Sequence, residues 1–289
     1  MLTNSKILRT LHDFGYFGNK PWKEVKDISG ARLKRAIAEY QKFHGLNASG
    51  KVDARTERQL TNRFRCGLPD FELRAEAKAC KWPMQRVTYY SNLDLPGISA
   101  DQAKQAFDVA CRQWMAICGI VLVRVPSANK ANIVSTDGEG RADGLDGRGG
   151  TLAWSELPCG AGPNSQYQQK FDRAEAWNYL MAVAVICHEL GHALGLSHLP
   201  KGNLMAPYYD PDTIQPQSGD IAEMVSRYGK PVATTNPPGA AVDVSGIVLI
   251  NGNPFVFQTP PPATVRAVSG VVIDGSLTIN NAPYALVPR

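Results

Sequence analysis

Three of the five histidines in this 289-residue chain fall within eleven residues, HELGHALGLSH at 188–198. No other stretch restricts the fold as tightly. His188 and His192 stand four apart, the spacing at which two side chains share one face of an α-helix. The preceding AWNYLMAVAVIC continues the same helix and makes it apolar enough to be buried. Gly195 then lets the chain turn sharply, so that His198 arrives beside the first two. Three neutral imidazoles with a fourth position left open make a catalytic zinc site. Glu189, next to the first ligand, stands where it can take a proton from water at that open position.

The rest of the chain reads as an ordinary globular protein, with 44% hydrophobic and 20% charged residues. It holds no eighteen-residue apolar run, which excludes a membrane-spanning helix. The opening MLTNSKILRT lacks the apolar core and small-residue cleavage site of a signal peptide. The net charge of +5 is unevenly spread: residues 1–66 carry 14 Lys+Arg against 6 Asp+Glu. Such a basic segment docks on an acidic neighbour or on an anionic surface such as a cell wall. It lacks interleaved aromatics and any nucleic-acid motif, so nucleic acid is set aside. The cysteines at 66, 80, 111, 118, 159 and 187 show neither a CxxC pair nor a dense disulfide framework, and spacing leaves their pairing open.

Periodicity divides the chain. Residues 1–62 read as a small three-helix domain: KILRTLHDFGYF, broken by GNKPW, then ARLKRAIAEYQKFHGL, then ARTERQL with Asp53 as N-cap. Residues 63–81 form a linker containing FRCGLPD. Residues 82–230 read as an α+β, mixed α/β domain. Its strands are RVTYYS, GIVLVRV, ANIVST and GTLAWSE, and its helices begin at SADQAKQAF and AWNYLMAV. KPVATTNPPGAA, which begins at Lys230, marks a Pro-rich linker over 231–242. Residues 243–289 form a β-rich tail of two related hairpin-like units, VSGIVLI/NGNPFVF and VSGVVIDGSLTI/NNAPYAL.

The complete HExxHxxGxxH pattern is the metzincin signature, and its surroundings resemble the matrixins, the matrix-metalloproteinase-like branch. Met205 in NLMAPYY resembles the Met-turn beneath the metal, and Pro207 and Tyr209 resemble the Pro-x-Tyr wall of the S1′ pocket. GTLAWSE, with Leu152 and Ala153, resembles the edge strand that pairs with an extended substrate. Ala184 then falls at the S1′ opening. FRCGLPD resembles the cysteine switch, in which Cys66 fills the fourth zinc position of a latent precursor. Arg65 and Asp70 are positioned to brace that loop, while Phe64 replaces the family's usual Pro. The segment before it resembles the matrixin propeptide, itself similar to peptidoglycan-binding modules. The resemblance implies a twisted, mostly parallel sheet with three helices. It also implies structural Ca²⁺ at Asp146, Asp172 and Glu175. The family's second zinc looks lost, because its histidine positions hold Trp154 and Lys170, and the two remaining histidines, His12 and His44, lie in the first 62 residues.

Three functions compete on these grounds. The first is a zinc endopeptidase acting on proteins or peptides, extracellular or at a surface. The second keeps that chemistry and directs it to peptidoglycan peptides or wall proteins. The third is a silent virion or surface component whose metal is permanently capped by Cys66, against which the intact Glu189 argues.

Overall fold

The computed structural model describes residues 2–71 and 80–231, with four strands at 247–250, 253–256, 275–279 and 282–286. The chain divides into two compact units, Met1–Val232 and Ala233–Arg289. The first opens with α1 (Asn4–Asp13), α2 (Trp22–Val25), α3 (Gly30–Phe43) and α4 (Ala54–Thr61). Their apolar faces close on Leu11, Tyr16, Val25, Ile37, Tyr40 and Leu60. The one-turn α2 lies where GNKPW was expected only to break the chain. Pro21 stands at its N-cap, where a missing N–H costs no helical hydrogen bond. Asp53 caps α4 as expected, accepting from the Thr56 N–H at 2.7 Å, a cap worth about 1 kcal/mol. Buried Gln41 donates to Lys51 O and Thr56 Oγ1 and accepts from Gly50 N, which fixes the α3–α4 turn.

A single six-stranded sheet follows, ordered β1-β5-β6-β4-β2-β3. Its strands are β1 (Arg65–Cys66), β2 (Arg86–Asn92), β3 (Val121–Arg124), β4 (Ile133–Gly138), β5 (Thr151–Ser155) and β6 (Tyr167–Asp172). Only β5 and β6 run antiparallel; every other pair is parallel. Sequence analysis did not identify β6, because YQQKFD lacks the β-branched alternation of a half-buried strand. Its buried Gln169 is satisfied instead by Ser135 and Ser155 on the flanking strands, at 2.6 and 3.1 Å.

Two long helices complete the frame of the site. α5 (Ala100–Met115) starts at a Ser99/Gln102 capping box, and α6 (Tyr179–Ala193) starts at Asn178, which accepts from Met181 N. α6 is buried on almost every side, unlike a surface helix with one apolar stripe. Burying each of Val183, Ile186 and Leu190 contributes about 1.5–3 kcal/mol. Trp114 of α5 locks the two helices together, donating from its indole to Cys187 O at 2.9 Å. A short α7 (Ser218–Tyr228) closes the unit. Cys80 and Cys159 form a disulfide, and Cys66, Cys111, Cys118 and Cys187 are free and buried.

In the second unit, β7 (Ile247–Ile250) pairs antiparallel with β8 (Asn253–Val256), and β9 (Gly275–Ile279) with β10 (Ala282–Leu286). These are the two hairpins expected of the tail; most of the Pro-rich linker lies outside the described residues. Among the described residues, no helix is long and apolar enough to cross a membrane.

Candidate functional site

Helix α6 carries His188, Glu189 and His192 on the face turned towards β5 and the FRCGLPD loop. The helix ends as it must to return His198. Gly195 has φ 100°, and a Cβ there would lie 1.9 Å from Cys80 O, so only glycine fits this turn. The Nε2 atom of His192 then lies 3.1 Å from that of His188 and 3.3 Å from that of His198. Cys66 Sγ approaches His192 Nε2 at 3.6 Å from the other side. The ligand atoms of Cys66, His188, His192 and His198 all lie within 4.8 Å of one another, the one such group of metal-ligating side chains among the described residues.

Each imidazole is oriented by a carbonyl. His188 Nδ1 meets Leu204 O at 2.8 Å, His192 Nδ1 meets Leu196 O at 2.7 Å, and His198 Nδ1 meets Pro69 O at 2.7 Å. A carbonyl only accepts, which assigns the proton to Nδ1 and leaves each Nε2 lone pair facing the centre. Burial lowers all three histidine pKa values, that of His188 to about 4, and so keeps the rings in their ligating neutral form. Glu189 is fully buried, its carboxylate oxygens have no partner beyond the neighbouring Cys66 thiol, and burial, opposed in part by that thiol, pushes its pKa up to about 8. Burial and the Glu189 charge push the Cys66 thiol well above its ordinary value. Three converging lone pairs, a thiol and a buried carboxylate fit a thiophilic divalent cation, and the N₃S donor set fits zinc.

The floor and walls come from the segment after His198. Met205 is wholly buried beneath the site; a Cβ on Gly191 would come within 2.3 Å of its sulfur. Asp220 on α7, a residue sequence analysis did not single out, accepts from Leu204 N, Met205 N and Gln217 N and so holds this turn. A pocket opens beside His188 and Glu189. Leu152, Ala184, Pro207 and Tyr209 line it, together with Val185, Leu204, Tyr208 and Asp210. Ala153 contributes its backbone, with its carbonyl accepting from Gly67 N at 2.8 Å.

The FRCGLPD loop lies between the two walls of this cleft. Cys66 pairs with Ala153 along β1–β5, and its N–H donates to Pro207 O at 2.9 Å on the opposite side. The Phe64 ring packs edge-on against Tyr209 at 5.9 Å. Arg65 and Asp70 pair at 2.7 Å, as their spacing suggested. Sequence analysis missed what else holds Asp70. The helical segment delivers Tyr16 OH at 2.8 Å and His44 Nε2 at 2.7 Å to the same Asp70 oxygen. Burial alone would raise the Asp70 pKa; His44, Arg65 and Tyr16 outweigh it and hold the carboxyl below its ordinary value.

The expected calcium residues are only partly gathered. Asp172 accepts from Gly147 N and Ala174 N, and Glu175 accepts from Gly150 N. Both carboxylates are buried with no basic side chain in ion-pair reach among the described residues, an arrangement that suits a hard cation. Asp146 is instead engaged by Arg63, just before the FRCGLPD loop, and by Thr151 N. Trp154 and Lys170, facing each other across β5–β6, both converge on Asp143: the indole donates to its carbonyl at 2.6 Å and the ammonium pairs with its carboxylate at 3.4 Å. This clamp holds the 138–145 loop without imidazoles.

A mostly parallel sheet over a buried HExxH helix, with a third histidine beyond a glycine turn and a methionine beneath, defines a metallopeptidase domain. Residues 81–229 match the matrixin family model, and residues 6–60 match that of a peptidoglycan binding domain. The chain belongs to the matrixin family. It is 32% identical to rat macrophage metalloelastase over 242 residues, 78% of this chain and 50% of that protein. It is 30% identical to human matrix metalloproteinase-16 over 235 residues, 70% of this chain and 38% of the other. Human matrix metalloproteinase-20 is 30% identical over 205 residues, 67% and 42% respectively. The chain spans half or less of the length of these curated relatives.

Proposed function

We infer that this protein is a zinc-dependent endopeptidase held latent by its own N-terminal segment. The observation that carries the inference is the convergence of His188, His192, His198 and Cys66 beside a buried Glu189. Zinc, when bound, supplies a Lewis acid that polarises a peptide carbonyl and acidifies water. Glu189 accepts a proton from that water and returns it to the leaving amine. The β5 edge holds an extended peptide by backbone pairing, and the pocket between Ala184 and Tyr209 receives the side chain that follows the scissile bond. In the latent chain Cys66 fills the position the water needs, with residues 1–62 as the pro-segment, 63–81 as the switch and linker, and 82–230 as the peptidase.

The test is metal analysis with peptide cleavage on three full-length forms. The parent should bind one zinc and cleave little. Cys66→Ser exchanges a soft ligand for a hydroxyl and should cleave without proteolysis. Glu189→Ala should keep zinc and cleave nothing even after a mercurial has taken the thiol. Undiminished cleavage by Glu189→Ala sinks the mechanism; an inert but zinc-loaded Cys66→Ser supports the silent-component reading instead.

A second reading narrows the substrate to cell-wall peptides or wall proteins. The match of residues 6–60 to a peptidoglycan binding domain supports it, as does the charge of residues 1–66. Sedimentation of the full chain with purified peptidoglycan tests it. The Cys80–Cys159 disulfide supports an extracellular or surface location, since such bonds persist in oxidising compartments.

A further inference from the structure

The helix that carries two of the metal-site histidines ends in a turn on which two of the three imidazoles depend. After α6, Gly195 N donates to His192 O at 2.7 Å and Leu196 N donates to Gly191 O at 2.9 Å, the pairing of a Schellman turn. The carbonyl of Leu196 orients His192, and two residues further on the chain delivers His198. A helix leaves its last four carbonyls without helical partners, and this turn satisfies two of them, Gly191 and His192. The other two belong to Ala193 and Leu194, both wholly buried. An unpaired carbonyl there would pull the turn towards another donor.

Side chains from two distant segments take them. The Trp82 indole donates to Ala193 O at 2.8 Å, and the Tyr228 hydroxyl donates to Leu194 O at 2.9 Å. The two donors are joined to each other, because Trp82 N donates to the Tyr228 hydroxyl at 3.1 Å. Cys80 O lies so close to Gly195 that no Cβ fits between them, and Arg227 donates to the same carbonyl at 3.3 Å. The segment is anchored on its far side as well. Cys80 is bonded to Cys159, and Trp82 packs edge-on at 5.4 Å against Tyr167, whose hydroxyl donates to Cys159 O. Of the three imidazoles, His198 is the one that takes its orienting carbonyl from the N-terminal segment, at Pro69. Once that segment leaves, the turn is what places His198.

We propose that Trp82 and Tyr228 are positioning residues of the metal centre: by holding the last two carbonyls of α6 they set the turn that orients His192 and returns His198. They act through that turn and touch neither metal nor substrate. The Cys80–Cys159 bond keeps Trp82 on the peptidase when residues 1–71 are displaced. The inference rests on the endopeptidase reading and deepens it, since it concerns how the ligands are placed rather than which they are. Groups that orient metal ligands from outside are worth about 10- to 100-fold in affinity or activity. Trp82 and Tyr228, one step further out, belong at the lower end of that range.

The test uses the full Cys66→Ser chain, with Trp82→Phe and Tyr228→Phe added in turn; each keeps an aromatic ring and removes one donor. Asn178→Ala, which deletes the cap at the other end of the same helix, is the control for stability alone. Four quantities are read: the zinc Kd against a competing chelator, the visible bands of the cobalt-substituted chain, kcat and KM on a peptide, and the melting temperature of the metal-free chain. Trp82→Phe and Tyr228→Phe should each raise the zinc Kd by about 10-fold and shift the cobalt bands. At saturating zinc they should lower kcat and leave KM near its parent value. Asn178→Ala should melt earlier with zinc Kd and cobalt bands unchanged. If Trp82→Phe and Tyr228→Phe behave like Asn178→Ala, they only stabilise the fold, and the inference is overturned. A Cys66→Ser chain that binds zinc but cleaves nothing overturns the endopeptidase reading instead, and the zinc and cobalt measurements still decide whether Trp82 and Tyr228 place the ligands.

Discussion

Replacing Asp70 by Ala should unlatch the chain without touching any ligand of the metal. The Asp70 side chain is fully buried, and three donors from different parts of the chain meet on it: Arg65, His44 and Tyr16. Removing the carboxylate leaves the Arg65 guanidinium buried between the Phe14 and Tyr208 rings with no anion beside it. Breaking a buried pair by deleting one partner costs about 3–5 kcal/mol, roughly two to four powers of ten in the equilibrium between closed and open latch. Pro69, whose carbonyl orients His198, is next in sequence, so the loop should also lose its grip on that ligand. The assay is peptide hydrolysis by the full chain without mercurial, alongside the sulfur-to-metal charge-transfer band of the cobalt-substituted protein. Asp70→Ala should cleave spontaneously and lose the band. Tyr16→Phe and His44→Gln each remove one hydrogen bond to a charged acceptor, about 1.5–3 kcal/mol, and should open the latch partially. The sign with pH follows from the lowered Asp70 pKa. Its stabilisation is complete above the ordinary carboxylate range near pH 4 and is lost as pH falls through the lower folded value. The metal-free chain should therefore melt earlier below about pH 4, and Asp70→Asn should flatten that slope. An Asp70→Ala chain as latent as its parent, with its thiolate band intact, would refute the brace.

Three further outcomes follow from the same geometry. EGTA should lower the melting temperature without removing zinc, because Asp172 and Glu175 are buried carboxylates without basic partners; no shift on restoring millimolar Ca²⁺ would count against a calcium site there, and metal analysis should find no second tight zinc where Lys170 and Trp154 hold Asp143. With Ala184 lining the pocket, the released chain should accept large apolar side chains after the scissile bond, and Ala184→Leu should shift cleavage towards small ones, as read from a peptide-library profile. Replacing Cys80 and Cys159 together by Ser opens a 79-residue loop, which by chain entropy costs about 4–5 kcal/mol; an unchanged melting temperature would show that the bond closes nothing the fold does not already hold.

What could be read from sequence follows the kind of interaction involved. The clustering of His188, His192 and His198 was legible because α6 converts a four-residue spacing into a fixed geometry, and because Gly195 marks the return of the chain. α5 announced itself through its apolar spacing and its start at Ser99. Strand β6 did not, because its inward position is a glutamine matched to two serines on neighbouring strands, and no local pattern encodes such a match. Asp220 escaped for a similar reason. It reads as an ordinary helix-start acid, and only the fold brings it under the backbone of Leu204 and Met205.

The FRCGLPD loop shows the same division. Arg65 and Asp70 are five residues apart, so their pairing was readable as local chemistry. His44 and Tyr16 lie 26 and 54 residues from Asp70, and nothing in either neighbourhood points to a carboxylate. Yet those two donors tie the state of the metal site to the fold of the helical segment. A change that loosens the packing of Tyr16 against Tyr40 withdraws a donor from Asp70, and Asp70 steadies the loop that carries both Cys66 and Pro69. The helical segment is thus more than a tether for a thiol. In the latent-precursor proposal its folding free energy and the closure of the loop are coupled terms, so whatever unfolds or displaces it would act on Cys66 through a buried carboxylate, without needing to reach the metal.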